Sequence, residues 1–392
     1  MIGVSRLCCQ NREPSDAIRF GHGAQGHPGQ AAFPAGRKPV VVWNGTQRCN
    51  LACRHCYSSS GCAAAGDELT TSQAKAMIDD LAAFGAPVLL FSGGEPLMRP
   101  DIIDVIGYCA ARGVRPVLST NGTLITPKLA GELGAAGLGY AGVSLDGLAQ
   151  TNDAFRGQQG AFDAAVAGVR NCIGAGVKVG LRMTINHYNV ADIGGVFDLL
   201  EQLGVARICF YHLAYTGRGG QIRQDALGHR ETRQAIDLIV QRTFDLHARG
   251  KRVEVLTVGN HADGPYLYMK LLATDPPRAA RCLDLLRRNG GDSSGTGIGC
   301  VSWNGDVLPD QFWRDQILGN VTSKPFSQIW TGDGNALLAS LRDRRKYLHC
   351  RCIRCRWLDV CNGNLRSRAQ AATGDMWGDD PACYLTDEEI GN

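Results

Sequence analysis

From Val40 onward, short runs of apolar residues alternate with longer stretches in which apolar positions recur every three or four residues. The short runs lie at 40–44, 87–92, 115–119, 140–145, 177–185 and 206–213. Between them, 71–84, 100–112, 162–175 and 190–203 read as helices. Thr70 and Thr71 are N-cap candidates for the first of these and Gly85 is its C-cap. Val166, Val169 and Ile173 keep the spacing of one helical face. Six strand–helix units in series argue for a parallel sheet with right-handed crossovers. Such a sheet is either doubly wound or rolled into a partial α/β barrel, and the pattern permits both. Further on, 226–249 and 265–288 look helical, the second broken at Asp275-Pro276-Pro277, with an apolar run at 253–257 between them. A Gly/Ser-rich stretch at 289–299 leads into a hairpin over 298–309 that turns at Asn304-Gly305. Residues 1–38, rich in Gly, Pro, Arg and Gln and without periodicity, read as a flexible N-terminal arm.

Length and composition narrow the class. A chain of 392 residues with 44% apolar and 20% charged positions is long enough for one large domain and a smaller one, with a sizeable core. Its net charge of +4 is too small to point to nucleic acid as a partner. No apolar run is long enough for a membrane span. The N-terminus lacks both the apolar segment of a secretory signal and the myristoylation pattern, so the expected location is cytoplasmic. In that compartment sixteen cysteines are not a disulfide framework, and clustered ones are more readily metal ligands. Cys109, Cys172 and Cys209, in apolar surroundings, read as small core residues.

The candidate chemistry starts at Cys49, Cys53 and Cys56, which read C-x3-C-x2-C just after the first apolar run. Three thiolates at this spacing can hold three irons of a [4Fe–4S] cube and leave the fourth open. The competing reading is a zinc site with His55 as fourth ligand. A second group, Cys352-x2-Cys355-x5-Cys361 with Cys383 after 21 intervening residues, offers four more thiolates. Spacing alone fits it to zinc or to an iron–sulfur cube equally, with Cys350 as a spare thiol. Gly93-Gly94-Glu95-Pro96 follows the second run; the glycines let backbone approach a ligand and Glu95 suits a cationic amine. Ser119, Asn121, Ser144 and Asp146 are short polar groups at strand ends, suited to hydroxyls or a carboxylate, or else ordinary turn and cap residues. Arg156 and Arg182 balance a ligand carboxylate or form internal ion pairs. The basic run from Arg342 to Arg368 reads by default as a solvated face.

At Cys49-x3-Cys53-x2-Cys56-Tyr57 and Gly93-Gly94-Glu95 the sequence resembles the radical S-adenosylmethionine (SAM) enzymes. That resemblance implies a six-unit partial (β/α) barrel over 39–250, with functional loops at the carboxyl ends of its strands. It implies a cluster whose open iron chelates SAM and releases a 5′-deoxyadenosyl radical. Gly93, Gly94 and Glu95 would contact the methionyl amine, and Ser119, Asn121, Ser144, Asp146, Arg156 and Arg182 would serve the rest of SAM. The C-terminal cysteines resemble the SPASM-type domain, which implies a helical connector over 251–297 and a small cluster domain over 298–392. Two cysteines of the complete pattern are replaced by Asp310 and Leu365. The expectation is therefore one auxiliary cluster and two [4Fe–4S] clusters in all.

Five later stretches, 212–219, 259–264, 305–313, 318–330 and 380–391, narrow the resemblance to the NirJ-like branch, the radical SAM enzymes of haem d1 biosynthesis. This implies an oxidoreductase or lyase acting on 12,18-didecarboxysirohaem, a tetrapyrrole of denitrification, at its ring A and B propionates, with a lactone as one alternative product. Flavodoxin or ferredoxin is the implied electron donor. Arg182, Arg218 and Arg223 are candidate carboxylate clamps, and His212 and His261 are candidate iron-facing or structural histidines. Rival readings are a related haem-precursor decarboxylase, a SPASM peptide maturase and a non-catalytic cysteine–metal scaffold; the last has no use for Gly93-Gly94-Glu95 at a barrel mouth.

Overall fold

A computed structural model describes residues 1–21, 37–63 and 66–391. Eleven strands are found among them: β1 (Ile2–Gly3), β2 (Val40–Thr46), β3 (Val88–Gly93), β4 (Arg115–Thr120), β5 (Tyr140–Ser144), β6 (Val179–Ile185), β7 (Arg207–His212), β8 (Glu254–Val258), β9 (Ile298–Val301), β10 (Asp306–Leu308) and β11 (Gly319–Asn320). They form one sheet in the order β1-β8-β7-β6-β5-β4-β3-β2-β9-β10-β11. Strands β2 to β8 run parallel in sequence order, which is the curved, unclosed barrel. The crossover helices match the periodic stretches. Thr71–Phe84, for example, starts in a capping box made by Thr70 and Gln73 and stops at Gly85 in the left-handed conformation.

Alternation along each strand sorts the two faces. Leu181, Met183 and Ile185 of β6 pack into the continuous apolar core under the helices, while Arg182 and Thr184 face the barrel interior and stay half-buried. This separation is what puts polar groups at the mouth without interrupting the core.

Three expectations need correction. The apolar run at 253–257 is not part of a purely helical connector: it is β8, a seventh parallel strand beside β7. On the opposite edge, β9 joins β2 in parallel and β10 and β11 continue antiparallel, so the hairpin turning at Gly305 extends the barrel sheet. Nor are the first 21 residues a loose arm. β1 pairs with β8, and Ile2, Val4 and Leu7 are buried. Below the barrel, Arg19 of the helix Asp16–Phe20 forms a buried ion pair with Glu254 of β8, which also pairs with Arg207 of β7. The remainder of the expected arm, 22–36, lies outside the described residues. Leu7→Ala is expected to cost about 2–4 kcal/mol through loss of buried contacts and the cavity left behind, read by denaturant unfolding under anaerobic conditions. A cost near zero would show that this segment is not part of the core. Among the described residues no helix is long and apolar enough to cross a membrane.

Candidate active site

The loop after β2 gathers Cys49, Cys53 and Cys56 in an apolar niche with Leu51 and Ala161. Burial pushes the Cys49 thiol up to about 12 and raises that of Cys53. Such a setting disfavours free thiolates and suits thiolates neutralised by a metal centre. The loop is held from three sides. Arg218, on the loop after β7, donates to the Cys53 carbonyl (2.8 Å) and the Ser60 carbonyl (2.7 Å). The Ala52 and Arg54 amides donate to the carbonyls of Arg156 and Phe155. Asn50 receives a hydrogen bond from Asn121 (2.8 Å) and donates to Thr123 (2.8 Å). Arg218 is therefore a support for the cysteine loop and not a clamp for ligand carboxylates.

Gly93 and Gly94 press against the same loop. The Gly94 amide donates to the Thr46 carbonyl (2.7 Å) and the Glu95 amide to the Arg48 carbonyl (2.7 Å). A Cβ on Gly94 would meet the Arg48 oxygen at 2.1 Å, so any side chain there displaces the backbone. Gly94→Ala is expected to weaken SAM binding by at least about tenfold by pushing the two loops apart. Equilibrium dialysis would check this, and wild-type affinity would show that the loops have room to move.

Glu95 is fully buried. One oxygen accepts from Thr120 (2.8 Å) and the Leu97 amide (3.2 Å), the other from the Asn121 amide (2.8 Å). Burial pushes its carboxyl up to about 7 against these hydrogen bonds. The carboxylate thus fixes its loop to the end of β4 and keeps lone pairs for a nearby cation.

Asp146 and Arg156 are both buried and paired with each other at 2.6 Å. Asp146 also accepts from the Thr184 amide (2.7 Å) and faces His55 Nε2 (3.3 Å). Arg156 reaches Cys53 Sγ at 3.6 Å. Asp146 is consequently engaged inside the protein and not presented to a ribose, while Arg156 places a positive charge on the cysteine niche. His55 stacks on Phe155 with ring centroids 4.8 Å apart, and burial lowers its imidazole to about 4, so it is neutral near pH 7.

Arg182 has a different environment. Its guanidinium lies over Gly142, where a Cβ would meet Nε at 2.2 Å, and donates to Ser119 Oγ (2.5 Å). Ser144 is its register neighbour on β5. No carboxylate pairs with it among the described residues. Arg182 thus lies beside Ser119 and next in register to Ser144. Sequence reasoning passed over Asn44 and Ser92, which bind the Tyr57 hydroxyl at 2.8 and 2.9 Å inside the barrel. An asparagine on the interior face of the otherwise apolar β2 was the available signal.

At the other cysteine group, Cys352, Cys355, Cys361 and Cys383 line one pocket. Among the described residues no three His, Cys, Asp or Glu side chains are close enough to grip a single ion; thiols that each bind a different iron of a cube need wider spacing. Asp310 and Leu365, at the two replaced cysteine positions, are buried parts of the fold. Asp310 accepts from Ser294 and from the Phe312 (2.7 Å) and Trp313 (3.0 Å) amides. The basic run is not uniformly a solvated face. Arg344, Arg366 and Arg368 are buried, bonded to Asp292, to backbone carbonyls and to Asp380 respectively. His212 is a structural histidine held by Asp263 at 2.9 Å, and His261 is buried with its imidazole lowered to about 3.

The radical SAM superfamily model matches residues 43–200, and the SPASM iron-sulfur cluster-binding domain model matches 295–356. Fe-coproporphyrin III synthase of Methanosarcina barkeri is 55% identical over 395 residues, covering 100% of this chain and 99% of that protein. The chain belongs to the radical SAM superfamily. Pre-heme d1 synthase of Dinoroseobacter shibae is 42% identical over 356 residues, 90% of this chain and 88% of that protein. The crystal structure of Streptococcus suis SuiB bound to precursor peptide SuiA superposes with a TM-score of 0.71, covering 89% of this chain and 76% of that one. At 17% identity that likeness speaks for the fold alone. As a radical SAM enzyme with a SPASM domain, the protein uses SAM and two [4Fe–4S] clusters. This removes the zinc and scaffold alternatives. The convergent thiols of both groups, buried at Cys49 and Cys53 and partly buried at the others, fit those clusters.

Proposed function

We propose that this enzyme remodels carboxylated side chains of an iron tetrapyrrole and that its product is iron coproporphyrin III. The observation that carries this reading is the 55% identity with Fe-coproporphyrin III synthase along essentially the whole of both chains. A second reading, action on the ring A and B propionates of 12,18-didecarboxysirohaem on the way to haem d1, is supported by the 42% identity with pre-heme d1 synthase.

Cys49, Cys53 and Cys56 would hold the SAM-binding cluster, and Cys352, Cys355, Cys361 and Cys383 the auxiliary one. When reduced and bound to SAM, the first cluster would supply the 5′-deoxyadenosyl radical needed to abstract a substrate hydrogen. The chain's own contribution is placement. Gly93 and Gly94 give backbone access to the methionyl amine beside Glu95, and Arg182 with Ser119 and Ser144 receives the methionyl carboxylate. Asn121 positions the cysteine loop through Asn50. Close placement of the substrate and exclusion of water are what the abstraction step requires of the barrel mouth. An acidic flavodoxin or ferredoxin is the proposed reductant.

Glu95 gives a pH signature. Its folded pKa lies above the ordinary carboxylate range, so its ionisation weakens the fold as pH rises through about 7. A cationic amine arriving beside it pulls that value down, so SAM binding expels a proton. SAM affinity is therefore expected to rise as pH increases from about 6 to 8, and Glu95→Gln to flatten the profile. Calorimetry of SAM binding to reconstituted protein in buffers of different ionisation heat would read the proton release; none in the wild type would remove Glu95 from the amine site.

The functional test is anaerobic reconstitution followed by dithionite, SAM and 12,18-didecarboxysirohaem, with mass spectrometry of nucleoside and tetrapyrrole. 5′-Deoxyadenosine together with iron coproporphyrin III supports the first reading. Altered ring A and B propionates support the second. Deoxyadenosine with an unchanged tetrapyrrole rejects both readings.

A further inference from the structure

The loop 310–316 after β10 reaches over the barrel interior and is fixed at several points. Asp310 accepts the Phe312 and Trp313 amides, and Trp313 is buried with its indole N–H on Gln370. Thr216, from the loop after β7, donates to the Phe312 carbonyl at 2.8 Å. The Phe312 ring stands edge-on to Tyr57, centroids 5.5 Å apart, and Tyr57 directly follows Cys56. A loop with these attachments is a rigid part of the mouth.

On it sits Arg314. Its guanidinium lies over the Trp303 ring, 4.4 Å from the centroid, and is half-buried. Its Nη1 is enclosed and has no hydrogen-bond partner, and no carboxylate pairs with it among the described residues. Gln311, three residues earlier, likewise has an enclosed and unpartnered Oε1. Arg314 acts electrostatically on the Tyr57 hydroxyl and the Cys300 thiol, which places its charge on the interior side of the loop. Four other buried arginines are matched by carboxylates: Arg19 with Glu254, Arg156 with Asp146, Arg344 with Asp292 and Arg368 with Asp380.

A half-buried guanidinium whose enclosed nitrogen has no partner carries an unrepaid desolvation cost, which a bound anion repays. Two such groups face this mouth, Arg182 and Arg314. SAM brings one carboxylate, and Arg182 with Ser119 is placed for it. We propose that Arg314, stacked on Trp303, is a substrate-anion anchor that binds a side-chain carboxylate of the tetrapyrrole and orients the macrocycle at the barrel mouth. This rests on the tetrapyrrole reading above. The planar fork suits bidentate capture of a carboxylate, and stacking on Trp303 fixes its plane.

The test is absorbance titration of the reconstituted full chain with 12,18-didecarboxysirohaem and with the same compound methyl-esterified at its carboxylates. Wild type is expected to bind the acid more tightly than the ester. Arg314→Gln is expected to weaken the acid about tenfold or more and to shrink the acid-to-ester ratio by the same factor. Arg314→Lys, which keeps the charge, is expected to fall between the two, with the cluster absorbance confirming that each variant is folded and loaded. An Arg314→Gln protein with the wild-type acid-to-ester ratio overturns the anchor. A wild type that binds neither compound overturns the tetrapyrrole reading and the anchor with it.

Discussion

Cys53→Ser is expected to reduce reductant-dependent formation of 5′-deoxyadenosine to the background of cluster-free protein, and to lower bound iron from about eight to about four per chain. Of the three cysteines proposed to hold the SAM-binding cluster, Cys53 has Arg218 on its carbonyl, Arg156 on its sulfur and an apolar wall that raises its thiol. A serine hydroxyl in that niche is a harder and far less acidic ligand than a thiolate, so the cube loses one of its three attachments. Iron analysis and anaerobic turnover decide the matter. A variant that keeps eight irons and cleaves SAM would remove Cys53 from the site.

The second large effect is expected from Arg156→Met. It leaves Asp146, fully buried, without its cation, and breaking a buried ion pair by removing one partner costs about 3–5 kcal/mol. Asp146 also holds the β6 backbone through the Thr184 amide, so the loss should loosen the end of that strand. Combining Arg156→Met with Asp146→Asn should recover about half of the lost stability, since no charge is then left unpaired. It should not restore the cluster's electrostatics. Withdrawing a positive charge 3.6 Å from Cys53 Sγ makes electron uptake harder, so the reduction potential of the SAM-site cluster should move negative in both variants. Denaturant unfolding gives the first quantity and redox-poised electron paramagnetic resonance the second. An unchanged potential would make Arg156 a structural residue only.

The parts legible in the sequence were those written in local periodicity or short spacing. Apolar runs and helical stretches gave β2 to β7 and their crossovers, because strands buried on both faces cannot be polar and amphipathic helices cannot hide their period. C-x3-C-x2-C, Gly93-Gly94-Glu95 and Cys352-x2-Cys355-x5-Cys361 were visible because each is a short, fixed spacing along the chain, and Cys383 joins the last of them after 21 intervening residues. β8 was harder to place: 253–257 is as apolar as the other strands, but nothing local says which edge it joins. The N-terminal segment was missed for a related reason. Ile2, Val4 and Leu7 are too few to show a period, and their burial depends on a surface built some 250 residues later.

Residue roles were decided by the fold. Asp146 and Arg182 look alike as candidates, each a charged group in or just after an apolar run. Tertiary packing gives Asp146 an arginine, a backbone amide and a histidine, and leaves Arg182 only Ser119. Arg218, Arg156 and Arg314 are equally indistinct in a chain with 41 basic residues, yet one braces a loop, one charges a thiol and one is left unpaired. The sequence by itself determined the two cysteine groups proposed as cluster ligands and the alternation that builds the barrel, because both are patterns of position along the chain. Only the tertiary structure decided which charges are neutralised, since a counter-ion is chosen by distance in space.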